Sequence, residues 1–110
     1  MNKRIYFHGM EKSDVMEQYA NQQLEKVVKF LENEPSPISI DLTLSPSKNR
    51  EHHKVELRVK SPHYDLISEY EHQGVAFYDT LDRVIDTMYK QLHEKKRQLV
   101  QERKDQGKFQ

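Results

Sequence analysis

Basic side chains recur at every seventh residue through the last third of the chain. The row consists of Arg83, Lys90, Arg97 and Lys104. Because seven residues of an α-helix turn through about 700°, the row drifts by only about 20° per step and forms a nearly straight line about 30 Å long. Guanidinium and ammonium groups at this spacing can hold a series of phosphates. The first hypothesis is therefore a helix surface that binds nucleic acid.

The same row has a simpler interpretation as the solvated side of a helix. Lysine and arginine favour the last turns of a helix, and Glu94 stands four residues after Lys90, within reach of an ion pair. The apolar stripe, however, stops at Leu92, and Lys95 and Lys96 occupy its next positions. Bases at these positions indicate a helix that extends beyond its own hydrophobic support.

The charge of the whole chain limits how nucleic acid could be bound. The 110 residues carry 18 lysines and arginines and 18 aspartates and glutamates, a net charge of zero. A nucleic-acid-binding domain is usually net basic, so only segregated charge permits that function. Residues 90–110 hold seven bases and three acids, a net charge of +4, which leaves −4 for residues 1–89. Lys26 and Lys29 share an exposed quadrant of the first helix and could extend the surface, although solvation alone also explains them.

Residues with catalytic or metal-binding chemistry lack the spacing that this chemistry needs. The segment HEKK at 93–96 has no second histidine four residues after the first, and the adjacent histidines at 52–53 point in divergent directions. Asp79, Asp82 and Asp86 share one helix side and could hold a cation, but the helix dipole also accounts for acids in first turns. There is no cysteine and no glycine-rich loop. The sequence therefore predicts a protein that is not an enzyme and has no cofactor or metal.

Apolar periodicity predicts six elements in the order β-α-β-β-β-α. Alternating residues predict strands at 3–8, 38–45, 54–60 and 64–71, and helical spacing predicts helices at 14–32 and from 77 to about 103. Ser13 is the predicted N-cap of the first helix, and Pro35 prevents its continuation. Strands with one polar face predict an α+β fold, in which two helices pack on one face of a four-stranded, mostly antiparallel sheet. We expect one domain at 1–104 and a flexible tail at 105–110.

The hydropathy of the chain predicts a cytoplasmic location. No apolar run approaches the length of a membrane span, and the N-terminal segment MNKRIYFHG lacks the hydrophobic stretch of a secretory signal. The absence of cysteine suits a reducing compartment.

Three segments carry a resemblance to a known family. They are HGMEKSDVMEQYANQQLEKVVKFL at 8–31, FYDTLDRVIDTMYKQL at 77–92, and the basic continuation through Lys95, Lys96 and Arg97. With these segments the chain resembles the ribosome hibernation-promoting factors, also called ribosome-associated inhibitors or sigma-54 modulation proteins. The resemblance spans nearly residues 3–100, and the segment 77–92 is its most specific part.

The resemblance implies a non-catalytic factor that docks on the small ribosomal subunit. Members of this family lie between the head and the body of the subunit against 16S rRNA, where they block mRNA and tRNA and stop translation in stressed or stationary-phase cells. Lys26, Lys29, Lys90, Lys96 and Arg97 match bases of the family. With Arg83 from the sevenfold row and Lys95 from the basic continuation of the last helix, they are the predicted rRNA-binding residues. The chain would be a short form without the dimerisation domain of long members, a monomer with no membrane or small-molecule partner.

The chain also departs from the family at positions that concern RNA binding. Glu17, Thr87 and Glu94 stand where the family commonly has bases. Ala76 replaces an aspartate, and the segment 61–63 replaces hairpin glycines. These departures leave open an alternative function, a protein-interaction or regulatory module of the same fold with weakened RNA binding.

Overall fold

The structure is a computed structural model, and it describes residues 1–46, 52–73 and 77–107, with the side chains of residues 1–45, 53–71 and 77–103. Its elements are β1 (Asn2–Phe7), α1 (Asp14–Leu31), β2 (Ser39–Pro46), β3 (His52–Lys60), β4 (Asp65–Gln73) and α2 (Phe77–Gly107). The predicted order is confirmed, with boundaries shifted by one or two residues, except that α2 continues past the expected end near residue 103 to Gly107. The predicted connection at 47–51, Ala76 and residues 108–110 lie outside the described residues.

The four strands form one sheet in the order β1-β2-β3-β4. β1 runs parallel to β2, while β2, β3 and β4 pair antiparallel in succession. A parallel pair needs a crossover connection, which α1 provides between β1 and β2. The fold is therefore the predicted α+β arrangement with a mostly antiparallel sheet.

Alternation along the central strands places their apolar residues on one face. The buried residues of this face are Ile40, Leu42, Leu44, Val55, Leu57 and Val59. In the register of the sheet, Ile5 lies opposite Leu42, and Leu42 lies opposite Leu57, so apolar side chains from three strands meet in one layer. The other face carries mainly charged and hydroxyl side chains and has no helix over it, as the period of two predicts.

Local capping starts α1 at the predicted residue. Ser13 has extended backbone angles, φ −112° and ψ 113°, and its hydroxyl accepts a hydrogen bond from the Met16 N–H. This bond satisfies one of the backbone donors that a helix leaves free at its start, and Asp14 and Glu17 add favourable charge to the first turn. The helix buries Ala20, Leu24, Val27 and Leu31, which recur at helical spacing against the sheet.

The helix α2 covers the remaining part of the apolar face. Its buried residues are Leu81, Val84, Ile85, Met88 and Leu92. Ser68 lies on the inward face of β4, and its hydroxyl donates a hydrogen bond of 2.9 Å to the Val84 carbonyl. A polar side chain in the core is thereby satisfied by the backbone of the helix above it.

Support for α2 continues further along the helix than the apolar stripe predicted. Leu92 is the last fully buried residue, but Leu99 is half-buried and packs against the core. The next residue, Val100, lines a cavity together with Pro35 and Tyr64. The part of α2 that lacks support therefore begins about two turns after Leu92, because Leu99 still packs against the core.

A length difference between α2 and the sheet leaves the end of the helix unsupported. The 31 residues of α2 span about 46 Å, whereas the nine residues of β3 or β4 span about 30 Å. The described molecule is accordingly elongated, with extents of 58 × 25 × 18 Å. Among the described residues, no helix is long and apolar enough to span a bilayer.

The alternation of inward and outward residues makes a prediction about stability. Leu57 is fully buried on β3, so Leu57→Ala should lower the free energy of unfolding by about 3 kcal/mol through lost contacts and a cavity. Ile67 on β4 faces outward with 50% of its surface exposed, and Ile67→Ala should change stability by less than about 1 kcal/mol. Urea unfolding of both variants checks the prediction, and equal losses would contradict the register described here.

Candidate nucleic-acid interface

The helices α1 and α2 run side by side in the same direction and form a groove between them. Contacts across the groove advance together along both helices, from Tyr19 against Asp82, through Lys26 against Asp86, to Phe30 against His93. Each residue of α1 thus meets a residue of α2 about 60 positions later. This arrangement brings Lys26 and Lys29 of α1 to the same side of the molecule as the bases of α2.

Acids occupy the first half of the groove, and partners within the molecule satisfy two of them. The Tyr19 hydroxyl donates to the two carboxylate oxygens of Asp82, at 2.7 and 2.9 Å. The hydrogen bond to Asp82, together with burial and nearby negative charge, raises the pKa of Tyr19 to about 12. Asp86 forms an ion pair with Lys26. Within the described part of the chain, no three His, Asp or Glu side chains are grouped to hold a metal ion.

Aromatic rings occupy the second half of the groove. Phe30, Tyr89 and His93, called here the aromatic cluster, contact each other edge to face. The ring centroid of His93 lies 4.8 Å from that of Phe30 and 4.5 Å from that of Tyr89. Phe30 and Tyr89 are half-buried, whereas His93 is exposed. The groove therefore ends in a patch of rings that is open to solvent.

Four bases surround this end of α2, and three of them have no carboxylate partner among the described side chains. We call Lys90, Lys95, Lys96 and Arg97 the basic ridge. No side chain among residues 1–45, 53–71 and 77–103 forms an ion pair or hydrogen bond with the ammonium groups of Lys90 or Lys95. The Lys96 ammonium lies 5.5 Å from the centroid of the Phe30 ring, a cation–π contact. Among these four bases, Arg97 alone has an anionic partner in the described part of the chain, the carboxylate of Glu94.

The remaining predicted bases differ in how freely they face solvent. Arg83 lies 4.4 Å over the ring of Tyr70 on β4, and its guanidinium donates to the Tyr70 hydroxyl at 3.0 Å. Lys26 pairs with Asp86, whereas Lys29 is exposed on α1. Lys29 is therefore exposed to solvent, whereas Arg83 and Lys26 make contacts within the molecule.

Lys90 and Arg97, the middle two residues of the sevenfold row, lie on the side of α2 that faces away from the sheet. Lys90 follows the buried Met88 by two residues, about 200° around the helix, and both Lys90 and Arg97 are exposed. The Lys104 side chain lies outside the described residues. Glu94 pairs with Arg97 rather than with Lys90, the partner that the spacing also allowed. Lys90 therefore has no ion pair with the side chains that the structure describes.

Charge is segregated along α2 itself. Residues 77–88 contain three acids and one base, a net charge of −2, while residues 89–103 contain five bases and two acids, a net charge of +3. Acids at the start and bases at the end both complement the helix dipole. The same distribution leaves an electropositive region at the end that extends beyond the sheet, where an anionic partner would meet few acids.

The aromatic cluster was not found from the sequence. Tyr89 and His93 stand four residues apart, a helical spacing that indicates a possible ring contact. Phe30 comes from the other helix, 59 residues before Tyr89, and no local pattern connects the two. Arg103 of α2 is not among the predicted RNA-binding residues. It lies close enough to Tyr64 to oppose the rise in the Tyr64 pKa that burial and Glu34 cause.

Comparisons with known proteins identify relatives of this fold. The sequence profile of the family described as Sigma 54 modulation protein / S30EA ribosomal protein matches residues 4–100. The N-terminal domain of Protein Y from Thermus thermophilus is similar with a TM-score of 0.66 and 20% identity, over 84% of this chain and 96% of that one. A ribosomal subunit interface protein from Coxiella burnetii has a TM-score of 0.67 and 19% identity, over 87% and 98%. A comparison with curated proteins gives no match.

The bond between Tyr19 and Asp82 predicts a dependence of stability on pH. Tyr19→Phe should lower the free energy of unfolding by about 1 kcal/mol at neutral pH, because Asp82 loses its donor. Folded Tyr19 keeps its proton until pH is near 12, whereas an unfolded tyrosine loses it near 10. The stabilisation is therefore complete below pH 10 and is lost as pH rises from 10 through 12.

Urea unfolding of the parent protein and Tyr19→Phe at several alkaline pH values measures this effect. The stability difference between the two proteins should shrink between pH 10 and 12. Tyr6→Phe is a suitable control, since the exposed Tyr6 hydroxyl accepts a hydrogen bond from Arg4 and does not contact a carboxylate, so its stability difference should not shrink between pH 10 and 12. A Tyr19→Phe difference that stays constant through pH 12 would contradict the assigned bond.

Proposed function

We propose that this chain, which belongs to the Sigma 54 modulation protein / S30EA ribosomal protein family, binds the small ribosomal subunit and inhibits translation. In this proposal the basic ridge contacts phosphates of 16S rRNA in the channel between head and body. The bound protein excludes mRNA and tRNA from the decoding site and holds ribosomes idle in stressed or stationary-phase cytoplasm. The mechanism is steric occlusion, which needs no catalytic group and no cofactor.

The observation that carries this proposal is the set of cations at the end of α2 that have no anionic partner among the described side chains. Within this part of the chain, Lys90 and Lys95 have no ion pair or hydrogen bond, and Lys96 makes a cation–π contact with Phe30. Cations without intramolecular partners can exchange hydration and counterions for phosphates without breaking contacts within the fold. Lys29 can add to the same surface from α1. Arg83 and Lys26 would join after exchanging their contacts to Tyr70 and Asp86 for phosphates.

The similar solved structures support the proposal at the level of fold. The Coxiella burnetii protein is described as a ribosomal subunit interface protein, and Protein Y shares the same architecture. In the proposal, the long helix α2 of this chain is the element that reaches into an RNA-lined channel. The basic ridge of this chain lies on that element.

Two ion pairs favour a second candidate, a protein-interaction or regulatory module of the same fold. Arg97 is paired with Glu94 and Lys26 with Asp86, so two of the seven predicted RNA contacts are partly neutralised. The chain is also neutral as a whole. In this candidate the basic ridge would meet an acidic protein surface, and association with ribosomes would be absent at physiological salt.

Charge reversal in the basic ridge distinguishes the two candidates. Lys90→Glu combined with Arg97→Glu should abolish sedimentation with small subunits through a sucrose gradient at low salt. Its thermal stability should stay within a few degrees of the parent, because both side chains are exposed. The parent should sediment with the subunit at low salt and be released at high salt, because phosphate contacts release counterions.

A matched control for this variant is the double reversal Arg4→Glu with Lys60→Glu. Both residues are exposed and lie on the open face of the sheet, so the net charge changes equally without altering α2. This control should sediment with the subunit as the parent does. If the parent itself stays at the top of the gradient at every salt concentration, the ribosome-binding proposal is wrong.

Removing the carboxylate that holds Lys26 should strengthen binding. Asp86→Asn frees the Lys26 ammonium for RNA, so ribosome affinity should rise and the salt dependence should steepen by about one phosphate contact. Asp79→Asn removes the same charge from the first turn of α2 without releasing a lysine. We expect a smaller increase for Asp79→Asn, measured by sedimentation over a salt series, and equal increases would assign the effect to net charge alone.

A further inference from the structure

The aromatic cluster contains an exposed ring held in a fixed orientation. Phe30 and Tyr89 contact the His93 imidazole at interplanar angles of 70° and 77°, so each meets it edge to face. Two such contacts from two different helices restrict the rotation of the imidazole, while its surface stays open to solvent. An exposed ring that is already oriented loses little conformational entropy when another flat group stacks on it.

Two ammonium groups lie beside the rings of the aromatic cluster. The Lys26 ammonium is 5.2 Å from the centroid of Tyr89, and the Lys96 ammonium is 5.5 Å from that of Phe30. The surface of α2 has an open depression with a volume of about 640 Å³, and its lining includes His93, Lys96, Arg97 and Val100. A depression of this size is large enough for a flat heterocycle and the groups that flank it.

Aromatic rings beside basic side chains can select a class of ligand that basic side chains alone cannot select. Ammonium and guanidinium groups attract any phosphate, whether it belongs to a duplex, a single strand or a free ion. A ring that can accept stacking adds binding energy only for a nucleotide whose base is unpaired and exposed. A carboxylate-bearing peptide would engage the bases but would gain nothing from the imidazole.

We propose that the depression at His93 binds one unstacked base of single-stranded RNA, with the flanking phosphates on Lys96 and Arg97. This inference rests on the proposed function and extends it, because it specifies an unpaired segment of RNA as the partner of this part of α2. The base stacks on the His93 imidazole, and Tyr89 and Phe30 support that ring from behind. The ammonium of Lys96 lies between the stacked base and the phosphate that follows.

Base-bearing and abasic oligonucleotides separate stacking from phosphate binding. The probes are a fluorescein-labelled short oligouridylate and an oligomer of the same length with abasic sites, and fluorescence anisotropy measures their binding at low salt. The parent should bind the base-bearing oligomer about tenfold more tightly than the abasic one. His93→Ala should reduce affinity for the base-bearing oligomer to the abasic level and leave abasic binding unchanged.

Two further variants identify the ring as the cause. His93→Phe should restore most of the preference for the base-bearing oligomer, since phenylalanine can also stack. His8→Ala removes an exposed histidine just after β1, at the opposite end of the sheet, and should behave as the parent. Thermal unfolding of each variant verifies that the fold is retained.

The outcomes separate failure of this inference from failure of the proposed function. Equal binding of the two oligomers by the parent, or an unchanged preference in His93→Ala, overturns stacking at His93 and leaves phosphate-mediated ribosome binding intact. A competition experiment adds a further test. If polyglutamate displaces the labelled RNA as well as unlabelled RNA does at an equal concentration of negative charge, stacking at His93 is also overturned. If the parent binds neither oligomer, the inference is wrong, and sedimentation with ribosomes decides separately on the proposed function.

Discussion

The structure depends on the packing of a long helix against a sheet that only one layer of helices covers. The buried residues of α2 from Leu81 to Leu92 fill the apolar face beside α1, and the half-buried Leu99 extends that contact. Strands of nine residues cannot support a helix of 31, so hydrophobic burial fixes the first part of α2 and leaves its end in solvent. The position of every base in the basic ridge follows from this difference in length.

Electrostatics then divides the surface along the same helix. Acids near the start of α2 are satisfied by Tyr19 and Lys26, whereas most bases near its end have no anionic partner among the described residues. Asp82 and Lys96 are 14 residues apart, about 21 Å along the axis, which exceeds two Debye lengths at physiological salt. A phosphate near Lys96 is therefore largely screened from Asp82, and a chain of zero net charge can still present a local anion-binding region.

Much of the fold and part of the site could be predicted because both depend on local periodicity. The inward residues of the strands, the Ser13 cap and the exposure of Lys90 and Arg97 all agree with the structure. The predicted end of the core at Leu92 was early, because Leu99 also packs against the core. Pro35 and Tyr64 lie across a cavity from this turn of α2, and no pattern within the helix records them. Neighbouring residues can also compete for one partner, and Glu94 pairs with Arg97 although the spacing also allowed Lys90.

By itself, the sequence determined which residues face the core, where the helices begin and which positions of α2 carry positive charge. These properties follow from the repeat of the backbone, 3.6 residues in a helix and two in a strand, so a short window of sequence contains them. Only the tertiary structure decided that Asp86 holds Lys26, that Tyr70 supports Arg83, and that Phe30 meets Tyr89 and His93. These contacts join elements that are distant along the chain, and they exist because α1, β4 and α2 bury their apolar sides on the same core.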